Sequence, residues 1–179
     1  MKYLKSFTTI VILGLLYTSC VKKENYPDVP VITFNSFTFF GSGTTTDSAL
    51  LRVNFTDGNG AIGYPAGQEG APNDFFVRPM LYYYSTKTFL PIIIDTSGNN
   101  DTLTYPYAIP DITPVGSDKE LNGIIQINLE NAIQGISYLA TDLAPYANVS
   151  EYQFQVWMYD RNGNKSNILI TPTQVNPYH

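Results

Sequence analysis

The sequence predicts an all-β fold, an antiparallel β-sandwich of seven to eight strands. Charged residues make up only 14% of the chain, whereas there are 14 Tyr and 10 Phe, a composition that favours strands over helices. Short apolar–polar alternations are separated by Gly, Pro, Asn and Asp turn residues throughout. No segment repeats with a period of about 20–50 residues, which argues against a solenoid or a propeller.

Eight segments are expected to form the strands. In the second of them, Leu51, Val53 and Phe55 alternate with Arg52 and Asn54, which indicates one buried and one polar face. The same alternation places Ile125, Ile127 and Leu129 inside, and later Tyr152, Phe154, Val156 and Met158 inside with Gln153, Gln155 and Trp157 outside. The eight segments are 31–40, 49–56, 75–84, 88–94, 102–109, 124–129, 152–159 and 168–175.

Two features interrupt this strand pattern. Pro79 is expected to break or bulge the third strand, because proline cannot donate a hydrogen bond to a central ladder. The spacing of Ala132, Ile133, Ile136 and Leu139 would allow a short helix over 130–142. Such a helix would end before Pro145.

The N-terminus resembles a bacterial lipoprotein signal peptide. Two lysines precede an apolar run over 7–16, which is too short to span a bilayer, and Leu16, Thr18 and Ser19 lead to Cys20. The resemblance implies removal of residues 1–19, acylation of Cys20 and anchoring in the bacterial outer membrane, on its periplasmic or cell-surface face. Residues 20–30 are then a tether and 31–176 the domain.

Composition also limits the partners. Cys20 is the only cysteine, so an internal disulfide is excluded. Without residues 1–19, Lys plus Arg falls from 10 to 8 while Asp plus Glu stays at 15, so the formal net charge becomes −7. An acidic domain makes nucleic acid an unsuitable partner.

The late part of the chain resembles an immunoglobulin or fibronectin type III domain. The resemblance rests on 143–145, on the strand at 152–156, and on Gly163 and Ser166. It implies an immunoglobulin-like antiparallel β-sandwich in which one tyrosine packs at a corner. Both Tyr146 and Tyr152 are candidates for that position.

Two polar motifs resemble those of small lipoproteins from Bacteroidetes-type bacteria. One is Asn-Phe-Thr-Asp-Gly-Asn-Gly-Ala-Ile-Gly at 54–63, and the other is Tyr-Asp-Arg-Asn-Gly-Asn-Lys-Ser-Asn at 159–167. Those lipoproteins are largely uncharacterised, so the resemblance implies location and fold rather than activity.

The two motif loops are expected to meet at one end of the sandwich, the end at which the tether enters. This would bring together oxygen-bearing side chains of the kind that Ca²⁺ accepts, namely Asp57, Asn59, Asp160, Asn162 and Asn164. The same residues are also preferred in tight turns, where Asp and Asn bond the local backbone. Calcium binding and turn chemistry are therefore both open interpretations.

Aromatic residues are the other candidate ligand-binding feature. Tyr82, Tyr83 and Tyr84 cannot all point inward, because neighbouring strand residues alternate faces. Either Tyr83 or the pair Tyr82 and Tyr84 faces outward, and Trp157 is expected outside. Exposed rings can stack on a glycan or anchor an envelope protein, unless a long loop covers them.

Catalytic residues are not expected. The only histidine is His179, at the chain end, and a carboxylate pair of the glycosidase type would have to come from polar loops. The candidate carboxylates are Asp95, Asp101, Asp111, Asp118 and Glu120. The expected function is that of a non-enzymatic binding or structural lipoprotein, with no cofactor other than calcium. Glycan binding in a polysaccharide-uptake system is the alternative, and glycoside hydrolysis is the least favoured of the three.

Overall fold

The computed structural model describes residues 25–42, 45–68, 71–94, 101–116 and 119–177, and within them it confirms the all-β sandwich. The elements are β1 (Val31–Ser42), β2 (Thr45–Asp57), β3 (Phe75–Tyr83), β4 (Thr88–Pro91), β5 (Tyr105–Tyr107), β6 (Leu121–Asn128), α1 (Glu130–Leu143), β7 (Ala147–Met158), β8 (Leu169–Ile170) and β9 (Gln174–Val175).

The strands form two antiparallel sheets. The first sheet has the order β1-β2-β6, and the second has the order β4-β3-β7-β8. Strand β5 pairs with β3 beyond β4, and β9 pairs with β7 beyond β8, so the second sheet is four strands wide. Over the described ranges, nine strands replace the expected seven to eight, because the last segment divides into β8 and β9 on either side of Pro172.

The core lies between the two sheets and follows the predicted alternation. Leu51 and Val53 of β2 are fully buried, as are Phe154 and Val156 of β7. The ring of Phe37 on β1 stacks on that of Phe154 with centroids 5.1 Å apart, which joins the two layers. Burial of alternate apolar side chains on both sheets is therefore what holds the sandwich together.

Pro79 does not break β3, contrary to the prediction. Phe154, its partner on β7, directs its backbone N–H and C=O toward Thr171 on the far side, at 3.0 Å each. No acceptor on β7 therefore requires a hydrogen bond from position 79. On the opposite edge of β3, Pro79 lies between the residues that pair with β5 and those that pair with β4. The register shift of this strand pair lies instead between Leu81 and Tyr82.

Helix α1 covers one end of the core and confirms the predicted helix. Ala132, Ile133 and Ile136 are buried, and the helix ends at Leu143, two residues before Pro145. Over the residues described, no helix combines the length and apolar character required to cross a membrane.

Candidate functional site

The two polar motif loops meet, as the sequence predicted. Arg161 donates its backbone N–H to the carbonyl of Ala61 at 2.8 Å, and Asn59 Nδ2 donates to Asp160 Oδ2 at 3.4 Å. The N-terminal segment lies against the same place, because Gly58 donates its N–H to the Pro27 carbonyl at 2.8 Å. We call residues 57–63 and 160–164 the loop cluster.

Glycine is needed in the first motif because three other chain segments pass directly over its backbone. A Cβ on Gly58 would lie 2.3 Å from the Tyr26 carbonyl oxygen. On Gly60 and Gly63, which have φ of +69° and +73°, it would meet the carbonyl oxygens of Lys119 and Pro110 at 2.5 and 2.0 Å. The Asp-Gly-Asn-Gly pattern thus permits close backbone packing at the centre of the loop cluster.

Arg161 is the residue of the cluster that sequence reasoning did not select. Its guanidinium donates to the carbonyls of Gly63 at 2.6 Å and Ile62 at 3.3 Å, to Thr113 Oγ1, and to Asp111 Oδ1 at 2.8 Å. Two hydrogen bonds from Thr113, and after them the Arg161 guanidinium, hold the pKa of Asp111 below its usual range. The planar guanidinium thereby joins two loops that are distant in sequence.

Asp160 is buried and fully engaged by hydrogen-bond donors. Its Oδ1 accepts the backbone N–H of Asn164 at 2.7 Å, and its Oδ2 accepts Asn164 Nδ2 at 2.8 Å as well as Asn59 Nδ2. These bonds shape the tight turn that contains Gly163. The carboxylate therefore organises the second motif loop.

Asp57 is buried too, but its two oxygens differ. Oδ2 accepts the backbone N–H of Ala61 at 3.1 Å, whereas Oδ1 has no partner among the described residues. Burial raises the pKa of Asp57, and the nearby charges of Asp160 and Asp28 raise it further, although backbone hydrogen bonds oppose the shift. A buried unpaired carboxylate oxygen of this kind is costly to the folded state.

The geometry separates the five residues that were grouped as calcium ligands. Asp57, Asn59, Asp160 and Asn164 come together, but Asn162 is exposed in the turn. The amide nitrogens of Asn59 and Asn164 face the Asp160 carboxylate, where a cation would require oxygens. Within the described ranges, no three His, Cys, Asp or Glu side chains are grouped so that they could hold a metal ion. Calcium binding stays a prediction, and turn chemistry accounts for the contacts present.

The rest of the second motif fastens neighbouring strands. Ser166 Oγ accepts the N–H of Met158 at 3.0 Å. The Asn167 amide spans the backbone of Ile32, because its Oδ1 accepts the Ile32 N–H at 2.8 Å while its Nδ2 donates to the Ile32 carbonyl at 2.9 Å. Asn167 thus joins the hairpin after β7 to the edge of β1 in the other sheet.

The outer surface of the second sheet bears a row of rings and cations, which we call the aromatic face: Phe76, Arg78, Trp157, Tyr159 and Lys165. Trp157 points outward as predicted, but its neighbours cover the ring, because only 9% of the residue is exposed. Phe76 stacks on it at 5.5 Å with planes 7° apart, and the Arg78 and Lys165 charges lie 5.0 and 5.1 Å from its centroid.

The three consecutive tyrosines divide as alternation requires. Tyr83 packs against the core, and burial raises its pKa. Tyr82 contacts Phe89 of β4 on the outer face, at 5.5 Å, and Tyr84 is exposed at the start of the turn. The pair Tyr82 and Tyr84 is therefore the outward one, and it lies at the far end of β3 from Trp157.

Of the other candidate residues, Tyr152 rather than Tyr146 is the buried tyrosine, and its pKa is raised by burial despite a hydrogen bond with Asn176. Asp101 is exposed and Asp111 pairs with Arg161. The predictions for Cys20, Asp95, Asp118 and His179 lie outside the described residues. No protein-family profile, curated protein or solved structure matches the chain.

Proposed function

We propose that this chain is a lipid-anchored lipoprotein of the bacterial outer membrane, whose sandwich is a non-enzymatic module that captures a glycan on the aromatic face. The observation that supports the proposal is the ring row itself. Phe76 and Tyr159 are half-buried and meet edge to face at 5.9 Å, beside the stacked Trp157. Half-buried rings beside polar side chains offer the ring surface and the hydrogen-bonding groups that a sugar can contact.

The face is also rigid, which favours binding. Cross-strand pairing places Phe76 opposite Trp157 and Arg78 opposite Gln155, with a hydrogen bond of 3.2 Å between the latter two. Side chains held by their neighbours lose little conformational entropy when a ligand arrives. A glycan would therefore meet a surface already in its binding arrangement.

A glycan array probed with the purified chain tests this function. Tyr159→Ala should weaken any array signal, because it removes a ring of the aromatic face. Tyr138→Ala is the matched control, since Tyr138 is 86% exposed on α1, away from that face. Equal signals from both variants would show that the glycan binds elsewhere.

The anchor has its own test. Labelling with an alkyne fatty acid should mark the protein in cells and fail to mark Cys20→Ala. A labelled Cys20→Ala variant would contradict acylation at this residue. If Cys20→Ala is released from the membrane and still binds glycan, the anchoring role and the binding role are separate.

A second function, assembly with an envelope protein, is favoured by strand β6. It is an edge strand of eight residues that pairs with β2 without a register shift and contains no charge or proline. Other edges are protected: β4 has four residues and ends at Pro91, and β1 has a shift after Phe34 and is bonded by Asn167. Long unprotected edges are sites of strand addition.

The edge of β6 also borders an apolar cavity of about 230 Å³, lined by Phe55, Ile109, Ile112 and Ile124 among others. Ile124 is 56% exposed. Cross-linking in cells tests this function. Ile124→Lys should abolish cross-linking to a protein that binds by strand addition, while leaving glycan binding unchanged. If this variant is cross-linked to the same protein as the parent chain, the assembly function is contradicted.

A further inference from the structure

We propose that the ligand of the aromatic face is an anionic carbohydrate, whose carboxylate or sulfate groups contact Arg78 and Lys165. This inference rests on the proposed glycan-binding function and specifies its ligand class. Two cations flank one ring, and neither has a carboxylate within ion-pair distance among the residues that the structure describes. Both charges can therefore pair with an anion from outside the protein, although the chain as a whole is acidic, with 15 acidic residues and 10 basic ones.

Arg78 is oriented by neutral groups. Its Nε donates to Thr104 Oγ1 at 3.1 Å and its Nη1 to Gln155 Oε1 at 3.2 Å. Neither acceptor neutralises the guanidinium, and Nη2 makes no hydrogen bond to the part of the chain that the structure describes. A guanidinium whose remaining N–H groups point away from its own chain can bond both oxygens of one anionic group.

Lys165 supplies the second charge from the hairpin after β7. Its Nζ lies 5.1 Å from the Trp157 centroid and 5.9 Å from that of Tyr159, and its side chain is exposed. Each cation lies over the Trp157 ring, which lowers the cost of leaving its charge without a carboxylate partner. An anionic group on the ligand could pair with either charge, which a neutral sugar could not do.

By contrast, the arginine of the second motif loop is fully used within the protein. Arg161 pairs with Asp111 at 2.8 Å and bonds several carbonyls of the first motif. Arg161 is thus neutralised where it acts structurally, whereas Arg78 and Arg52 donate to neutral side chains, and of these two it is Arg78 that lies over an aromatic ring. The difference favours a ligand role for Arg78.

The test is titration calorimetry on the full chain purified in detergent, with a galacturonate oligosaccharide, its methyl-esterified form and a chondroitin sulfate oligosaccharide. We expect the acid and sulfated forms to bind and the ester to bind about tenfold or more weakly, with affinity falling as salt rises. Lys165→Gln and Arg78→Gln should each weaken binding about tenfold. Lys87→Gln, an exposed charge at the far end of the sheet, should not.

The outcomes separate this inference from the function on which it rests. Equal binding of ester and acid, or array binding confined to neutral glycans, would overturn the anionic class and leave glycan binding intact. No binding to any glycan would overturn both. Poly-glutamate that binds as well as galacturonate would indicate an acidic protein partner and overturn the carbohydrate. Because Lys165 is exposed, Lys165→Gln keeps the test decisive even if Arg78→Gln unfolds.

Discussion

Asp57→Asn is expected to raise the free energy of unfolding, whereas Asp160→Asn is expected to lower it. The two acids are buried, the charge of Asp160 acts on Asp57, and both replacements keep the side-chain shape. Only their hydrogen-bond environments differ. The pair therefore tests whether the loop cluster is a set of turns or an ion-binding site.

At Asp160, three N–H donors converge on two carboxylate oxygens, at distances of 2.7, 2.8 and 3.4 Å. An amide offers one oxygen, so at least one donor would face an NH₂ group, at a cost of about 1–3 kcal/mol. At Asp57, the amide oxygen can still accept the N–H of Ala61, and removal of a buried charge beside Asp160 is worth up to about 1 kcal/mol. The melting temperatures of the two variants should differ by roughly 2–16 °C.

The measurement is urea denaturation of both variants and the parent chain across pH 4–8, with EDTA or with millimolar calcium. Because the folded-state pKa of Asp57 is raised, its protonated form favours folding and the parent loses that stability as pH rises through the shifted pKa. The advantage of Asp57→Asn should therefore grow from acid toward neutral pH. A loss as large as that of Asp160→Asn, together with calcium-dependent stabilisation of the parent, would refute the reasoning and establish a bound cation.

Three further substitutions test the packing by thermal denaturation. Gly135→Ala should lower the melting temperature, although alanine favours helices, because its Cβ would lie 1.8 Å from the Tyr105 hydroxyl oxygen. Adding Tyr105→Phe should restore part of that loss, whereas purely additive effects of the two substitutions would contradict the contact. Arg161→Lys should cost about 2 kcal/mol because lysine cannot reproduce the guanidinium fork, and a change below about 0.5 kcal/mol would refute its joining role. Asn167→Asp should cost about 1–2 kcal/mol, since a carboxylate cannot donate to the Ile32 carbonyl, whereas an unchanged melting temperature would contradict the two-bond contact.

Periodicity was enough to predict most of the fold. The alternation of Leu51, Val53 and Phe55 determines which face of β2 is buried, because successive side chains of a strand point to opposite faces and the apolar set must face the core. Helix α1 was predictable from the helical spacing of its buried residues Ala132, Ile133 and Ile136. The predicted effect of Pro79 is wrong because a missing N–H weakens a strand only where a neighbouring strand offers an acceptor for it. Which positions these are depends on the strand pairing, which the local sequence does not specify.

The candidate site was less predictable, since its contacts join distant segments. The motif letters indicated that Asp57 and Asp160 would meet, but not that N–H donors would occupy the Asp160 carboxylate. Nothing in the sequence indicated that carbonyl groups of the first motif loop would accept hydrogen bonds from Arg161. Asp74, in a polar Pro-Asn-Asp stretch, is likewise buried, with Oδ1 accepting the Ile109 N–H at 2.8 Å. Trp157 alternates outward, yet its cover comes from a lysine on a hairpin.

The docking of the N-terminal segment onto the loop cluster determines how high the domain can stand above a membrane. Pro27 and Asp28 accept hydrogen bonds from Gly58 and Asn59, so the chain is already part of the folded body there. If Cys20 is acylated as proposed, the stretch from Cys20 to Asn25 spans at most about 18 Å. A ligand at the loop cluster, or at the adjoining end of the aromatic face that Tyr159 and Lys165 form, would have to fit beside the lipid headgroups. The opposite end, farther by the length of β2 at about 40 Å, would meet molecules arriving from the surroundings.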